Sequence, residues 1–160
     1  MSEDDIFEEF ARDGVVLEKL EHAAVYTVEE SAAIHEALPA AHTKNLFLKD
    51  KQGGFWLVTL PSERRADLKA FAARLGAGKF SFGKPEDMER LLRVSPGAVT
   101  PLAAANAAGE VNVVFDAAFR EAERIAVHPL RNTATIALPF AALESWLSGK
   151  GVATQVVVLP

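Results

Sequence analysis

The sequence predicts a single α/β domain over residues 1–160, built around a mixed sheet. Three observations predict it. Strand-like apolar runs are intermixed with segments of helical periodicity. A β-hairpin is written plainly at 43–60, where Thr43-Lys44-Asn45-Leu46-Phe47-Leu48 and Phe55-Trp56-Leu57-Val58-Thr59-Leu60 flank a polar turn ending in Gly53-Gly54. No repeat, low-complexity tract or linker divides the chain, and 160 residues suffice for a sizeable core.

Each element has a local cause. Ser2 precedes acidic residues and then Ile6, Phe7 and Phe10 at helical spacing, with Gly14 as the stop. Ala24-Val25-Tyr26 reads as a short strand. Thr27 followed three residues later by Glu30 has capping-box spacing and opens a helix to about Leu38, which Pro39 ends. After the hairpin, residues 67–75 form an amphipathic helix closed by Gly76, and Phe80-Ser81-Phe82 alternates as a strand. Lys84-Pro85-Glu86 starts a further helix with proline and acid in its first turn. An irregular stretch at 94–101 leads to a small-residue helix at 102–108. Strands follow at 111–115, 125–127 and 133–138; a helix runs from Pro139 to Trp146, and a last strand spans 156–159.

Composition narrows the function. There are no cysteines, which removes disulfides, thiolate catalysis and cysteine zinc sites. No run of apolar residues is long enough to span a bilayer, and the first residues are acidic where a secretory signal would be basic and then apolar. A cytoplasmic location without membrane association is therefore expected. The net charge of −5 is unevenly spread: −9 over residues 1–43, +5 over 44–93 and −1 over 94–160. Such asymmetry can steer a polyanion to one face, although solvated helix faces give the same pattern.

Phosphate-loop, dinucleotide, nucleophile-elbow and HExxH motifs are absent. The four histidines, His22, His35, His42 and His128, lack metal-ligand spacing. Three features remain. Lys44 and Asn45 stand where apolar packing of the first hairpin strand begins, and a cation there is costly to desolvate unless an anion or water meets it. Gly97-Ala98-Val99-Thr100-Pro101 is a GxxxP loop whose exposed amides could hold a carbonyl or oxyanion. His128-Pro129 occupies a turn between strands. Each also has a plain reading, as a solvated strand-end lysine, a turn before a helix and a packed turn histidine.

In order along the chain, Thr27-Val28-Glu29-Glu30, His42-Thr43-Lys44-Asn45-Leu46-Phe47-Leu48-Lys49-Asp50, Phe55-Trp56-Leu57-Val58, Ser95-Pro96-Gly97-Ala98-Val99-Thr100-Pro101 and His128-Pro129 with Asn132-Thr133 resemble the YbaK/ProX family. Its members are free-standing relatives of the editing domain inserted in bacterial prolyl-tRNA synthetases. The resemblance runs from about Phe7 to Leu159 and implies a mixed sheet or partial barrel surrounded by helices. It is greatest to the alanyl-specific branch, since the cysteinyl branch usually lacks the asparagine after the lysine and the Phe-Trp strand.

The resemblance implies hydrolysis of alanine mischarged on proline tRNA, with no cofactor and no metal. The implied partners are aminoacylated proline tRNA and prolyl-tRNA synthetase, not DNA and not a membrane. Lys44, Gly97 and His128 would be the catalytic residues, Lys44 holding the 3′ end of the tRNA as a point charge. Asn45, Ala98, Val99, Thr100 and Pro101 would bind the aminoacyl ester. The acceptor stem would have to meet the basic segment, with Arg64, Arg65, Lys69, Arg74, Lys79 and Lys84 as contacts. An aminoacyl ester is already activated, so positioned water and a polarised carbonyl can suffice; the resemblance implies that the substrate's own ribose hydroxyl helps that water, with no side-chain base required. The alternatives are a cysteinyl-proline-tRNA deacylase, a non-catalytic module for the tRNA 3′ end or the synthetase, and a small-molecule site.

Overall fold

The hairpin is where the fold is most directly dictated by chemistry. Asp50 Oδ1 accepts the backbone N–H groups of Gln52 and Gly54 at 2.9 and 2.8 Å, while Oδ2 accepts Trp56 Nε1 at 2.9 Å. Gly53 supplies the left-handed φ of +90° that a side chain would resist. The tryptophan and backbone donors hold the Asp50 carboxyl below its ordinary range, against the opposing effect of burial. The turn thus joins β2 (Ala41–Lys49) to β3 (Phe55–Pro61) in antiparallel register, Lys44 opposite Leu60 and Asn45 opposite Thr59.

The computed structural model describes residues 1–25 and 27–160, Val28 through its backbone alone. Before the hairpin come α1 (Glu3–Arg12), β1 (Glu18–Glu21) and α2 (Val28–Ala37). After it come α3 (Leu68–Leu75), β4 (Ser81–Phe82), α4 (Pro85–Leu92), β5 (Val111–Asp116), β6 (Ile125–Val127), β7 (Ala134–Leu138), α5 (Phe140–Gly149) and β8 (Thr154–Val157). Three short 3-10 helices occupy Pro96–Ala98, Pro101–Ala107 and Ala117–Glu121.

The eight strands form one mixed sheet in the order β1-β7-β6-β2-β3-β5-β8, with β4 paired to β2 off this path. It is not closed into a barrel, and helices surround it. Alternation along β2 and β3 divides the core between its faces. Phe47 and Leu57 join a cluster with Ile6, Phe10, Leu91, Phe115 and Leu143. Leu48, Trp56, Val58 and Leu60 join another with Phe71 and Phe80. Each fully buried side chain of this size is worth about 1.5–3 kcal/mol against exposure.

β2 is the hinge of this topology. It pairs with β3 along one edge over residues 43–49, but its other edge is shared. Ala41 and His42 pair in parallel with β6, and Leu48 and Lys49 pair with β4. Among the described residues, the segment 43–46 faces no strand on that second edge. The seam opens where Lys44 and Asn45 stand.

Several local readings are confirmed by cap geometry. Ser2 and Asp5 form a reciprocal capping box on α1, Thr27 accepts the Glu30 N–H on α2, and Gly76 closes α3 at φ +66°. Others are corrected. Ala24 and Val25 are not strand, and Tyr26 lies outside the described residues; the strand falls earlier, at β1, where pairing with β7 imposes it. The small-residue helix is 3-10 and starts at Pro101. The last strand sits two residues earlier than its apolar run, because β5 pairs with Thr154–Val157 and leaves Val158 69% exposed.

Candidate functional site

A cavity of about 560 Å³ lies at the seam. β2 supplies His42, Thr43, Lys44 and Asn45; β6 and the following turn supply Ala126, Val127 and His128; and β7 supplies Thr135. α2 lends Ser31, Ala32, Ile34 and His35, and His22 and Val25 complete the approach. All four histidines therefore meet at one place, although nothing in their spacing announced it. No group of three or more metal-ligating side chains is present among the described residues.

Lys44 is half-buried on this wall, and no ion pair or hydrogen bond engages its ammonium among the described residues. Neighbouring Asn45 is tightly held. Its Oδ1 accepts the Thr59 hydroxyl at 2.5 Å, and its Nδ2 donates to Thr43 Oγ1 at 3.3 Å. Thr43 Oγ1 in turn donates to Ala126 O at 2.8 Å, so one chain of bonds crosses β3, β2 and β6. That chain fixes the amide's orientation and leaves the second hydrogen of Nδ2 uncommitted among the described residues.

The histidines divide into two pairs. His35 and His42 stack with ring centroids 4.0 Å apart, and His42 Nε2 donates to Leu38 O at 2.7 Å. Burial pulls the His42 pKa below its ordinary value, outweighing that hydrogen bond, and His35 adds repulsion. This stack also borders a second hollow of about 510 Å³ reaching Pro39, Pro61 and Phe119. His22 and His128 lie with centroids 6.4 Å apart. His128 Nδ1 donates to Ala134 O at 2.8 Å, and burial again pulls the His128 pKa down. Next to it, Leu130 takes a left-handed φ of +70°, and Arg131 ties the turn to Glu3 of α1 and Glu21 of β1 at 2.8 and 2.6 Å.

Of the residues singled out in the sequence, Lys44, Asn45 and His128 meet at the cavity. The GxxxP loop does not line it. Ala98, Val99, Thr100 and Pro101 are buried in the core or its edge. Gly97 instead backs the His128 turn: a Cβ there would come within 2.9 Å of Asn132 Nδ2. Among the basic residues, Arg64 is committed to the buried carboxylate of Asp116. Arg65, Lys69, Arg74, Lys79 and Lys84 are exposed, Arg74 also donating to Val158 O at 3.3 Å. Sequence reasoning passed over His22, Thr135 and the lining residues of α2, which only the fold gathers.

A half-buried cation, an oriented amide and a neutral imidazole around one concave site suit the binding of an anion-bearing ester. The profile of the aminoacyl-tRNA editing domain matches residues 22–145, and the chain belongs to that family. It is 42% identical over 126 residues to a prolyl-tRNA synthetase associated domain-containing protein 1 of Bos taurus, covering 76% of this chain and 74% of that one. It is 35% identical over 134 residues, 82% of each chain, to the prolyl-tRNA editing protein ProX of Acetoanaerobium sticklandii. A crystal structure provisionally described as a trans-editing enzyme for prolyl-tRNA synthetase shares the fold, with a TM-score of 0.69 at 17% identity over 95% of this chain and 93% of that one. Among the described residues, no helix is long and apolar enough to cross a membrane.

Proposed function

We propose that this protein hydrolyses the ester of alanine mischarged on proline tRNA, releasing alanine and free tRNA. The observation that carries the reading is Lys44: a half-buried lysine whose ammonium makes no ion pair among the described residues, on the wall of a cavity it shares with Asn45 and His128. A phosphate of the tRNA 3′ end would supply the missing anion. The ProX relative, a prolyl-tRNA editing protein, supports the substrate class.

In the reaction, water oxygen bonds to the ester carbonyl carbon and the bond to the ribose oxygen breaks. One water proton goes to that leaving oxygen and the other to solvent, so alanine departs as its carboxylate. Lys44 holds the 3′ end and Asn45 Nδ2 donates its uncommitted hydrogen to the ester or the terminal ribose, so that the carbonyl is presented in one pose. The ribose hydroxyl beside the ester assists the attacking water, so no protein side chain is assigned the base. The apolar lining of Ala32, Val25, Ala126 and Val127 suits a small acyl group. Gly97 and the buried residues of its loop act through the turn that carries His128. Exposed Arg65, Lys69, Arg74, Lys79 and Lys84 form the surface for the acceptor stem, and prolyl-tRNA synthetase is the natural protein partner for a domain that must meet its products.

The test is hydrolysis of proline tRNA charged in turn with Ala, Cys, Ser and Pro by the wild-type protein and Lys44→Ala. Loss of Ala alone, abolished by the substitution, is the expected result. Turnover of Cys instead reassigns the substrate within the same site. RNA binding without turnover of any ester makes the protein a binding module.

A further inference from the structure

The cavity wall formed by β7 and the turn before it offers hydrogen-bond acceptors without matching donors. His22 Nδ1 lies 2.8 Å from Ala23 O; a carbonyl oxygen only accepts, so this nitrogen carries the proton. In the neutral ring Nε2 is then an acceptor, and it takes the Thr135 hydroxyl hydrogen at 2.8 Å. Thr135 is 5% exposed, and its Oγ1, having given its only hydrogen to His22, keeps its lone pairs for the cavity that it lines.

His128 repeats the arrangement. Its Nδ1 donates to Ala134 O, and its Nε2 lone pair has no protein partner among the described residues. Burial disfavours the imidazolium and outweighs the Ala134 hydrogen bond that would favour it, so the lone pair stays available at neutral pH.

We propose that His128 Nε2 and Thr135 Oγ1 form a subsite for a primary ammonium, the α-ammonium of the aminoacyl ester. The inference rests on the editing reading above and gives it a direction. An ammonium brings three donors and no acceptor, the complement of this wall. Lys44, on the same cavity, is donor-only and suits the opposite pole, a phosphate. A substrate with phosphate at one end and ammonium at the other is thereby oriented, and His22 acts as a positioning residue by holding the Thr135 hydroxyl in the accepting pose. Glu63, an exposed carboxylate on the rim, is the rival partner for the same ammonium.

The experiment compares proline tRNA carrying alanine with the same tRNA carrying lactate, in which a hydroxyl replaces the α-amine, each rate normalised to its spontaneous hydrolysis. The wild type should favour the alanyl ester by at least about tenfold, equivalent to one charge-assisted hydrogen bond. Thr135→Val should bring the ratio close to unity by slowing the alanyl ester alone, and Thr135→Ser should restore it. Equal normalised rates in the wild type overturn the subsite while leaving the editing reading intact, and need no variant to fold. Collapse of the ratio in Glu63→Gln but not in Thr135→Val overturns it in favour of the rim carboxylate. No hydrolysis of either ester by the wild type removes the editing reading and this subsite together.

Discussion

Asn45 Oδ1 and the Thr59 hydroxyl are joined at 2.5 Å across the β2–β3 pair, and Thr59 is fully buried. The contact links the hairpin's packing to the orientation of a site residue. Thr59→Val keeps the shape but leaves the amide oxygen without its donor. Urea unfolding should show a loss of about 1–3 kcal/mol, the cost of an unsatisfied acceptor out of water. Ester hydrolysis should fall with it, and Thr59→Ser should recover both.

Lys44 behaves oppositely. No described contact engages its ammonium, so Lys44→Ala should move stability by no more than about 0.5 kcal/mol. Hydrolysis of alanyl-proline-tRNA should nevertheless be lost. A denaturation curve recorded beside the kinetics separates this from a folding defect.

The basic surface should divide by what already neutralises it. Arg64→Ala leaves the Asp116 carboxylate, which also caps the following 3-10 helix through the Ala118 N–H at 2.8 Å, without its cation. The expected cost is about 1–3 kcal/mol of stability, with little change in RNA affinity. Arg65→Ala and Lys69→Ala should leave stability within about 0.5 kcal/mol. Each should instead weaken RNA binding and flatten its dependence on salt, measured as the slope of log affinity against log salt.

Acid should destabilise the fold in two stages. The pKa values of His42 and His128 are lowered in the folded protein from 6.5, so the unfolded chain binds more protons as pH drops below that value. Stability is therefore lost first as pH falls from about 6.5 through the lowered folded values. Asp5, Glu9, Glu21 and Asp50 are also lowered, and their contribution is present above the ordinary carboxylate range and lost below it. Urea midpoints measured from about pH 7.5 down to about pH 2.5 should fall in that order, and the first fall should shrink in His42→Gln/His128→Gln whatever the offset at neutral pH.

Much of the fold was legible because its causes are local: the Ser2 and Thr27 helix starts, Gly76 at a helix end, Pro85 at a helix start, and the polar, glycine-ended hairpin turn. β1 was not, since Glu18-Lys19-Leu20-Glu21 is mostly charged and becomes a strand only because β7 pairs with it. The site divides in the same way. Lys44 stands out as a cation entering an apolar strand, and Asn45 is its neighbour. Thr135 reads as an ordinary strand residue, and its tie to His22 depends on a contact 113 residues apart. The GxxxP loop was legible as a motif, but its burial could not be read from glycine and proline alone.

The shared edge of β2 bears on the order in which the molecule comes into being. Its partner β3 follows directly, whereas the bond from Thr43 to Ala126 spans 83 residues. A hairpin closes in microseconds, while parallel pairing with so distant a segment waits on chain entropy. As the chain leaves the ribosome, Lys44 is set in its strand well before the turn bearing His128 has been synthesised. The cavity is complete only once β6, the His128 turn and β7 have joined the strand that already carries Lys44.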